Sequence, residues 1–292
     1  MNDMKYVIEL KNVTKDYGDF KLDNVTFSVP EGSVCGFIGQ NGAGKTTTIN
    51  LVLDIIKRNS GEIRLFGESI DSSSAGLREN IGVVFDEMPF HDMFTAYDMG
   101  KIFEGLYPEW DYEIYNGYLE RFGLPGKKKI GKFSKGMKMK LQIACALSHH
   151  AKLLIMDEAT TGLDPVVRDE ILHIFMEYMQ DGDCSILMSS HITSDLEKIA
   201  DMVTFIDKGK ILLTGYKDEI LESHGILHCD KENISLVDTQ DIVSIRTNHF
   251  GAEIMICNRA EAKVKYPNMM IDSASLDDIM LYYVHKEEKE WS

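Results

Sequence analysis

Gly39-Gln40-Asn41-Gly42-Ala43-Gly44-Lys45-Thr46 lies between an apolar run at 33–38 and a stretch in which Ile49, Val52, Leu53 and Ile56 recur on one helical face. Strand, glycine turn and helix follow one another, and every fixed position of GxxxxGK[ST] is filled. Glycines let the backbone curl so that successive N–H groups face phosphate oxygens. The helix start adds the positive end of its dipole. Lys45 brings a full charge to the β- and γ-phosphates, and the Thr46 hydroxyl is suited to ligate Mg²⁺. The loop from Gly39 through Gln40, Asn41, Gly42, Ala43 and Gly44 to Lys45, Thr46 and Thr47 is therefore the candidate cradle for ATP. A chance glycine-rich turn is the alternative, and the strand before it and the helix after it weigh against that.

Working outward, a second apolar strand at 153–156 ends in Asp157-Glu158. Side chains alternate along a strand, so the two acids point different ways. Asp157 is expected to hold Mg²⁺ through water and Glu158 to act as the base that polarises the attacking water. Alone, such a pair is the polar end of a core strand; beside the phosphate loop it reads as a catalytic pair. Further strands are expected at 6–10 and 25–29 around a turn at Tyr17-Gly18-Asp19, and at 63–66, 81–85 and 185–188. Residues 202–206 and 211–214 flank Lys208-Gly209, a hairpin signal. A helix is expected from Pro165. Residues 87–150 read as helical and aromatic-rich. Past Tyr216 the pattern changes to short alternations at 234–237, 242–246 and 253–256, a helix over 276–284, and a charged tail over 285–290.

With both motifs in hand, the chain resembles the ATP-binding subunits of ABC transporters over about residues 6–215. Phe133-Ser134-Lys135-Gly136-Met137 resembles a variant of the family's signature motif, with Lys135 at the usual first glycine and Met137 at the glutamine. The resemblance implies that Ser134 and Gly136 contact the γ-phosphate of ATP held by a partner subunit. Thr161-Gly162-Leu163-Asp164 is similar to the segment that contacts that subunit, so Asp164 joins the candidate nucleotide residues. His191 resembles the switch histidine, and Tyr17 the aromatic that stacks on adenine. Asp86 stands where the family has a glutamine, and is expected still to sense the metal through a shorter, charged arm.

The implied fold is an α/β P-loop NTPase with a RecA-like core, an antiparallel β subdomain, an inserted helical subdomain over about 87–150, and an α+β appendage. The expected division is an ATPase domain at 1–215 and the appendage at 216–292. The implied partners are a second ATPase chain in a head-to-tail dimer and a separate membrane permease, placing the chain on the cytoplasmic face of the membrane. Asp86, the signature variant and the single-cassette length resemble exporter subunits, some of which expel antimicrobial or amphipathic peptides. The segment 275–280 resembles the close of such chains. The aromatic segment 90–124 is a candidate groove for the permease.

Composition agrees with this. The chain has 292 residues, 44% hydrophobic and 27% charged, with a net charge of −16. Such acidity opposes a nucleic-acid binder, which needs a basic face. Five scattered cysteines, with no CxxC pair, read as small core residues. No secretory signal is expected from the first residues, and no window approaches the roughly 20 apolar residues of a membrane span. The competing readings are an ABC-type ATPase without a permease, a phosphate-loop kinase, and a nucleotide-gated regulator without turnover. The kinase would not need Ser134, Asp164 and His191 in this order, and intact Glu158 and His191 oppose the regulator.

Overall fold

The computed structural model describes residues 5–70, 75–180 and 184–285. Its elements run β1 (Tyr6–Asp16), β2 (Lys21–Pro30), β3 (Val34–Ile38), α1 (Lys45–Val52), β4 (Ser60–Leu65), β5 (Glu68–Ser69), α2 (Ala75–Arg78) and β6 (Ile81–Val84). Then come α3 (Ala96–Leu106), α4 (Tyr112–Arg121), α5 (Lys135–Leu147), β7 (Leu153–Asp157), α6 (Pro165–Met179), β8 (Ser185–Ser190), α7 (Thr193–Ile199), β9 (Met202–Asp207) and β10 (Lys210–Tyr216).

The central sheet has the order β10-β9-β3-β8-β7-β6. β9, β3, β8, β7 and β6 run parallel, and β10 returns antiparallel beside β9. β3 and β7 are buried along their whole length, which is why they read as unbroken apolar runs. The β9–β10 turn carries Lys208 at φ 45° and Gly209 at φ 75°, the left-handed pair that a tight hairpin requires. A second, antiparallel sheet, β2-β1-β4-β5, covers the side on which α1 lies. β1 runs six residues past the expected end at residue 10, because register shifts on either side of Val13 break the alternation there. α1 stops at Val52, so Ile56 packs on the same core from beyond the helix.

The segment 87–150 is helical, as expected. α3 starts in a Thr95–Asp98 capping box, and α4 is capped by Asp111. The aromatics expected to form a groove mostly pack on one another: Phe103 lies 5.6 Å from Phe90, 5.6 Å from Tyr107 and 5.4 Å from Trp110. Met93, Phe94, Tyr97 and Leu106 are the large apolar side chains left exposed there.

After β10 come α8 (Lys217–Ser223), β11 (Gly225–Cys229), β12 (Ile242–Thr247), β13 (Ala252–Ile256), α9 (Arg259–Lys265), β14 (Met270–Ser273) and α10 (Leu276–Val284). The antiparallel sheet β12-β13-β11-β14 has its own core, including Leu227, Ile254 and Tyr266. Its other face and α10 join the main core through Met255, Leu276, Ile279 and Tyr282. Leu276 N–H donates to Glu197 Oε1 on α7 at 2.8 Å, tying α10 to the main body of the chain.

Residues 234–237 are not a strand. They belong to a 3₁₀ turn, Lys231–Leu236, and its exit, where Ile234 and Val237 face the core three residues apart. The cysteines are also less uniform than expected: Cys35 and Cys145 are buried, Cys184 and Cys229 half-buried, and Cys257 exposed. Residues 286–290 of the charged tail lie outside the described residues.

Candidate nucleotide site

The loop between β3 and α1 turns through Gly42 at φ 81° and Gly44 at φ 115°. A Cβ on Gly44 would also come within 2.9 Å of Leu22 Cδ1, so backbone and packing both demand glycine there. The loop rests on the β9–β10 hairpin, where Gly209 N–H donates to Ala43 O at 2.9 Å. No side chain caps α1. The N–H groups at its start are therefore left for an anionic ligand. They face a cleft of about 400 Å³ lined by Phe20, Gln40, Asn41, Gly42, Gly44, Lys45, Thr46, Thr47 and Glu158.

Lys45 is buried. Its ammonium donates to Gly39 O at 2.6 Å and Gln40 O at 3.1 Å, and lies 2.9 Å from Glu158 Oε1. That last contact is ionic, since Oε1 is buried without a well-angled hydrogen bond. Glu158 Oε2 accepts from the Thr161 hydroxyl at 2.5 Å and lies 2.7 Å from His191 Nδ1. Burial pushes the Glu158 carboxyl up, but Thr161, Lys45 and His191 together outweigh it and hold the group below the usual range. The side chain is thus an ionised acceptor, one oxygen on Thr161 and His191 and the other against the Lys45 ammonium.

Asp157, at the end of β7, is buried and accepts from the Ser189 hydroxyl at 2.6 Å. The same hydroxyl accepts from Glu158 N–H at 3.1 Å. Glu158 has φ 53°, so the chain leaves the strand at this residue, and the two acids diverge by a turn as well as by alternation.

The remaining expected residues fall elsewhere. Ser134 caps α5 by accepting from Met137 N–H at 3.2 Å, and Gly136 lies in that first turn. Asp164 caps α6 by accepting from Val166 N–H at 2.9 Å, with Pro165 next, as expected for a helix start. Asp86 pairs with Lys135 at 2.7 Å. Tyr17 sits in the β1–β2 turn under the Lys15 ammonium and is 53% exposed. None of Asp86, Ser134, Gly136, Asp164 or Tyr17 lines the cleft around Lys45. Sequence reading missed Phe20 and Ser189 as parts of the site, and gave Thr161 only as the first residue of the segment facing a partner subunit, not as a donor to Glu158. Phe20 lies three residues beyond Tyr17 in the same hairpin, and its ring edge would be 3.1 Å from a Cβ on Gly44. Ser189 was visible only as a polar residue at a strand end.

Residues 22–161 match the family model described as ABC transporter. The bacitracin transport ATP-binding protein BcrA of Bacillus licheniformis is 38% identical over 72% of this chain and 69% of its own length. The chain belongs to the ABC transporter ATP-binding family. A second relative, the uncharacterized ABC transporter ATP-binding protein YhcH of Bacillus subtilis (strain 168), is 31% identical over 96% of this chain and 92% of its own. That match extends through the appendage. A solved structure described as the ATP-binding subunit of an ABC transporter superposes with a TM-score of 0.67 at 27% identity, covering 73% of this chain and 91% of that one. The fold is accordingly that of a P-loop ABC ATPase, and the chain binds and hydrolyses ATP. Among the described residues no helix is long and apolar enough to cross a membrane.

Proposed function

We propose that the chain energises export through a separate membrane permease, as one half of a head-to-tail ATPase dimer at the cytoplasmic face of the membrane. The observation that carries this is a separation. The cleft holds Lys45 and Glu158, while the Ser134–Gly136 helix start stands outside it. A second copy in two-fold arrangement would bring its own Ser134 and Gly136 over this cleft, and would receive this chain's in return. Asp164, on the loop after Glu158, would lie along that interface.

Within the cleft, the phosphate-loop amides and Lys45 hold the triphosphate. Glu158 orients the attacking water and takes its proton. His191, bound to Glu158 Oε2, fixes the carboxylate and reaches the γ-phosphate. Thr46 in the cleft lining and buried Asp157 are hard oxygen donors of the kind that suit Mg²⁺, which would neutralise phosphate charge there. Phe20 or Tyr17 would carry the adenine. Loss of the γ-phosphate removes the contacts that close the dimer, so hydrolysis opens it.

The cargo reading is a peptide of amphipathic character. It rests on the bacitracin-transport name of the relative that covers the ATP-binding part of this chain. Residues 1–215 would form the motor and 216–292 an accessory unit. Met93, Phe94 and Tyr97, at the start of α3, are exposed apolar side chains that would meet the permease. The test is the Glu158→Gln chain in excess MgATP, followed by light scattering. Doubling of mass with turnover abolished supports the dimer, and an unchanged monomer overturns it. Detergent co-purification with a multi-span partner tests the permease.

A further inference from the structure

We infer that Asp86 and Lys135 act as one charged unit that positions the Ser134–Gly136 helix start, so that Asp86 works through Lys135 and not as a metal ligand of its own cleft. The inference rests on the proposed role of that helix start in triphosphate recognition.

α5 begins awkwardly. A helix N-terminus carries partial positive charge and favours acids in its first turn. α5 has none there, and Lys135 is its first residue. The missing negative charge comes from the segment after β6. Lys135 Nζ donates to Asp86 Oδ1 at 2.7 Å, and one turn on Lys138 pairs with Asp92 at 3.3 Å. The same segment is clamped to α5 lower down. The buried Gln142 amide accepts from Phe85 N–H at 3.1 Å and donates to Phe85 O at 3.0 Å. Gln142 therefore fixes the body of the helix, and the Asp86–Lys135 contact fixes its start.

Lys135 also reaches the loop after Glu158, where its Nζ lies 3.4 Å from the place a Cβ on Gly162 would take. One ammonium thus stands between the end of β6, the start of α5 and the loop that follows the catalytic glutamate. A glycine at position 135 could make no such link, and a neutral side chain at 86 would leave the lysine uncompensated at a helix start. The two departures from the family pattern, an acid at 86 and a cation at 135, answer each other in space.

The test is a double-mutant cycle on the full chain: Asp86→Ala, Lys135→Ala and the pair together, with Asp86→Glu and Lys135→Arg as conservative controls. ATP turnover is measured against ATP concentration at low and high salt. Because both groups are half-exposed, coupling of about two- to fivefold is expected. Each alanine variant should raise the KM for ATP with kcat within about twofold. The double variant should be no worse than the poorer single one, and the conservative variants should recover most of the loss. High salt should shrink the coupling, and unfolding temperatures should stay together. Additive effects, or a fall in kcat at unchanged KM for Asp86→Ala alone, would overturn the inference and return Asp86 to the metal. The ATP-driven dimer of the Glu158→Gln chain is measured alongside. A dimer with no coupling between 86 and 135 sinks the charge pair alone, whereas a chain that never dimerises sinks the reading beneath it as well.

Discussion

Two helices in this chain begin at sites where nucleotide contact is proposed, and they begin in opposite ways. α1 starts at Gly44, with a left-handed backbone and no side-chain cap. α5 starts at Ser134, whose hydroxyl accepts from the Met137 N–H, and its lysines are matched by Asp86 and Asp92. The first leaves its amide donors without a side-chain cap. The second is finished within the chain. A self-sufficient helix start folds without nucleotide and can be carried to another molecule's phosphate as a preformed surface.

The largest effect should come from breaking the open start. Lys45→Ala removes the charge that neutralises the phosphates and strands Glu158 as a buried carboxylate without its cation. ATP binding, followed by fluorescence of a labelled nucleotide, should be lost. Glu158→Gln should instead keep binding and lower phosphate release by at least about 100-fold. Undiminished turnover would remove Glu158 from the base role. The pH dependence follows from the sign of its shift. The folded carboxyl lies below its ordinary value, so the ion-pair contribution to stability is present above the unfolded value and lost as pH falls through the folded one. In the Gln variant, measured by thermal unfolding, that acid-side loss should be smaller.

Gly44→Ala comes next. Its φ of 115° and the 2.9 Å approach to Leu22 Cδ1 should cost about 1–3 kcal/mol of stability and close the loop to phosphate. Ser134→Ala is smaller and differs in kind: loss of the cap should destabilise the chain by about 1 kcal/mol in thermal or denaturant unfolding. A Ser134→Ala chain as stable as the wild type would mean that α5 does not depend on its own cap.

This contrast bears on what could be read before the structure. The shape of the α1 loop was legible almost residue by residue, because a backbone that curls its N–H groups inward must be written in glycine at fixed spacing. The strand ends at Asp157 and His191 were legible for a related reason, since parallel strands deliver their last residues to one edge of the sheet. The α5 start was found only through resemblance, and its supports were not legible at all. Asp86 and Lys135 are 49 positions apart and meet only through the sheet and the helical segment between them. Phe20 and Ser189 were missed because each does its work by contact across the fold, with no local pattern. The appendage was half legible: β12, β13 and α10 have periodic apolar faces. β14 is polar and short, and α9 has no side-chain cap.

The smallest effect on the fold sharpens the comparison most. Gly136 lies in the first turn of α5 without a left-handed backbone, and a Cβ there would meet Val167 Cγ1 at 3.4 Å, an ordinary contact. Unlike Gly44, it is not required by the folded monomer. Alanine in a helix is favoured over glycine, so Gly136→Ala should leave unfolding unchanged or raise stability by up to about 1 kcal/mol. If the glycine is there to let a second molecule's γ-phosphate approach the backbone, the same variant should lose ATP-driven dimerisation and turnover while keeping nucleotide binding in its own cleft. Stability and activity would then move in opposite directions, which no defect in folding can imitate. A Gly136→Ala chain that is both stable and fully active would mean that the α5 start never meets a phosphate. The two helix starts would then differ because only one of them has a ligand.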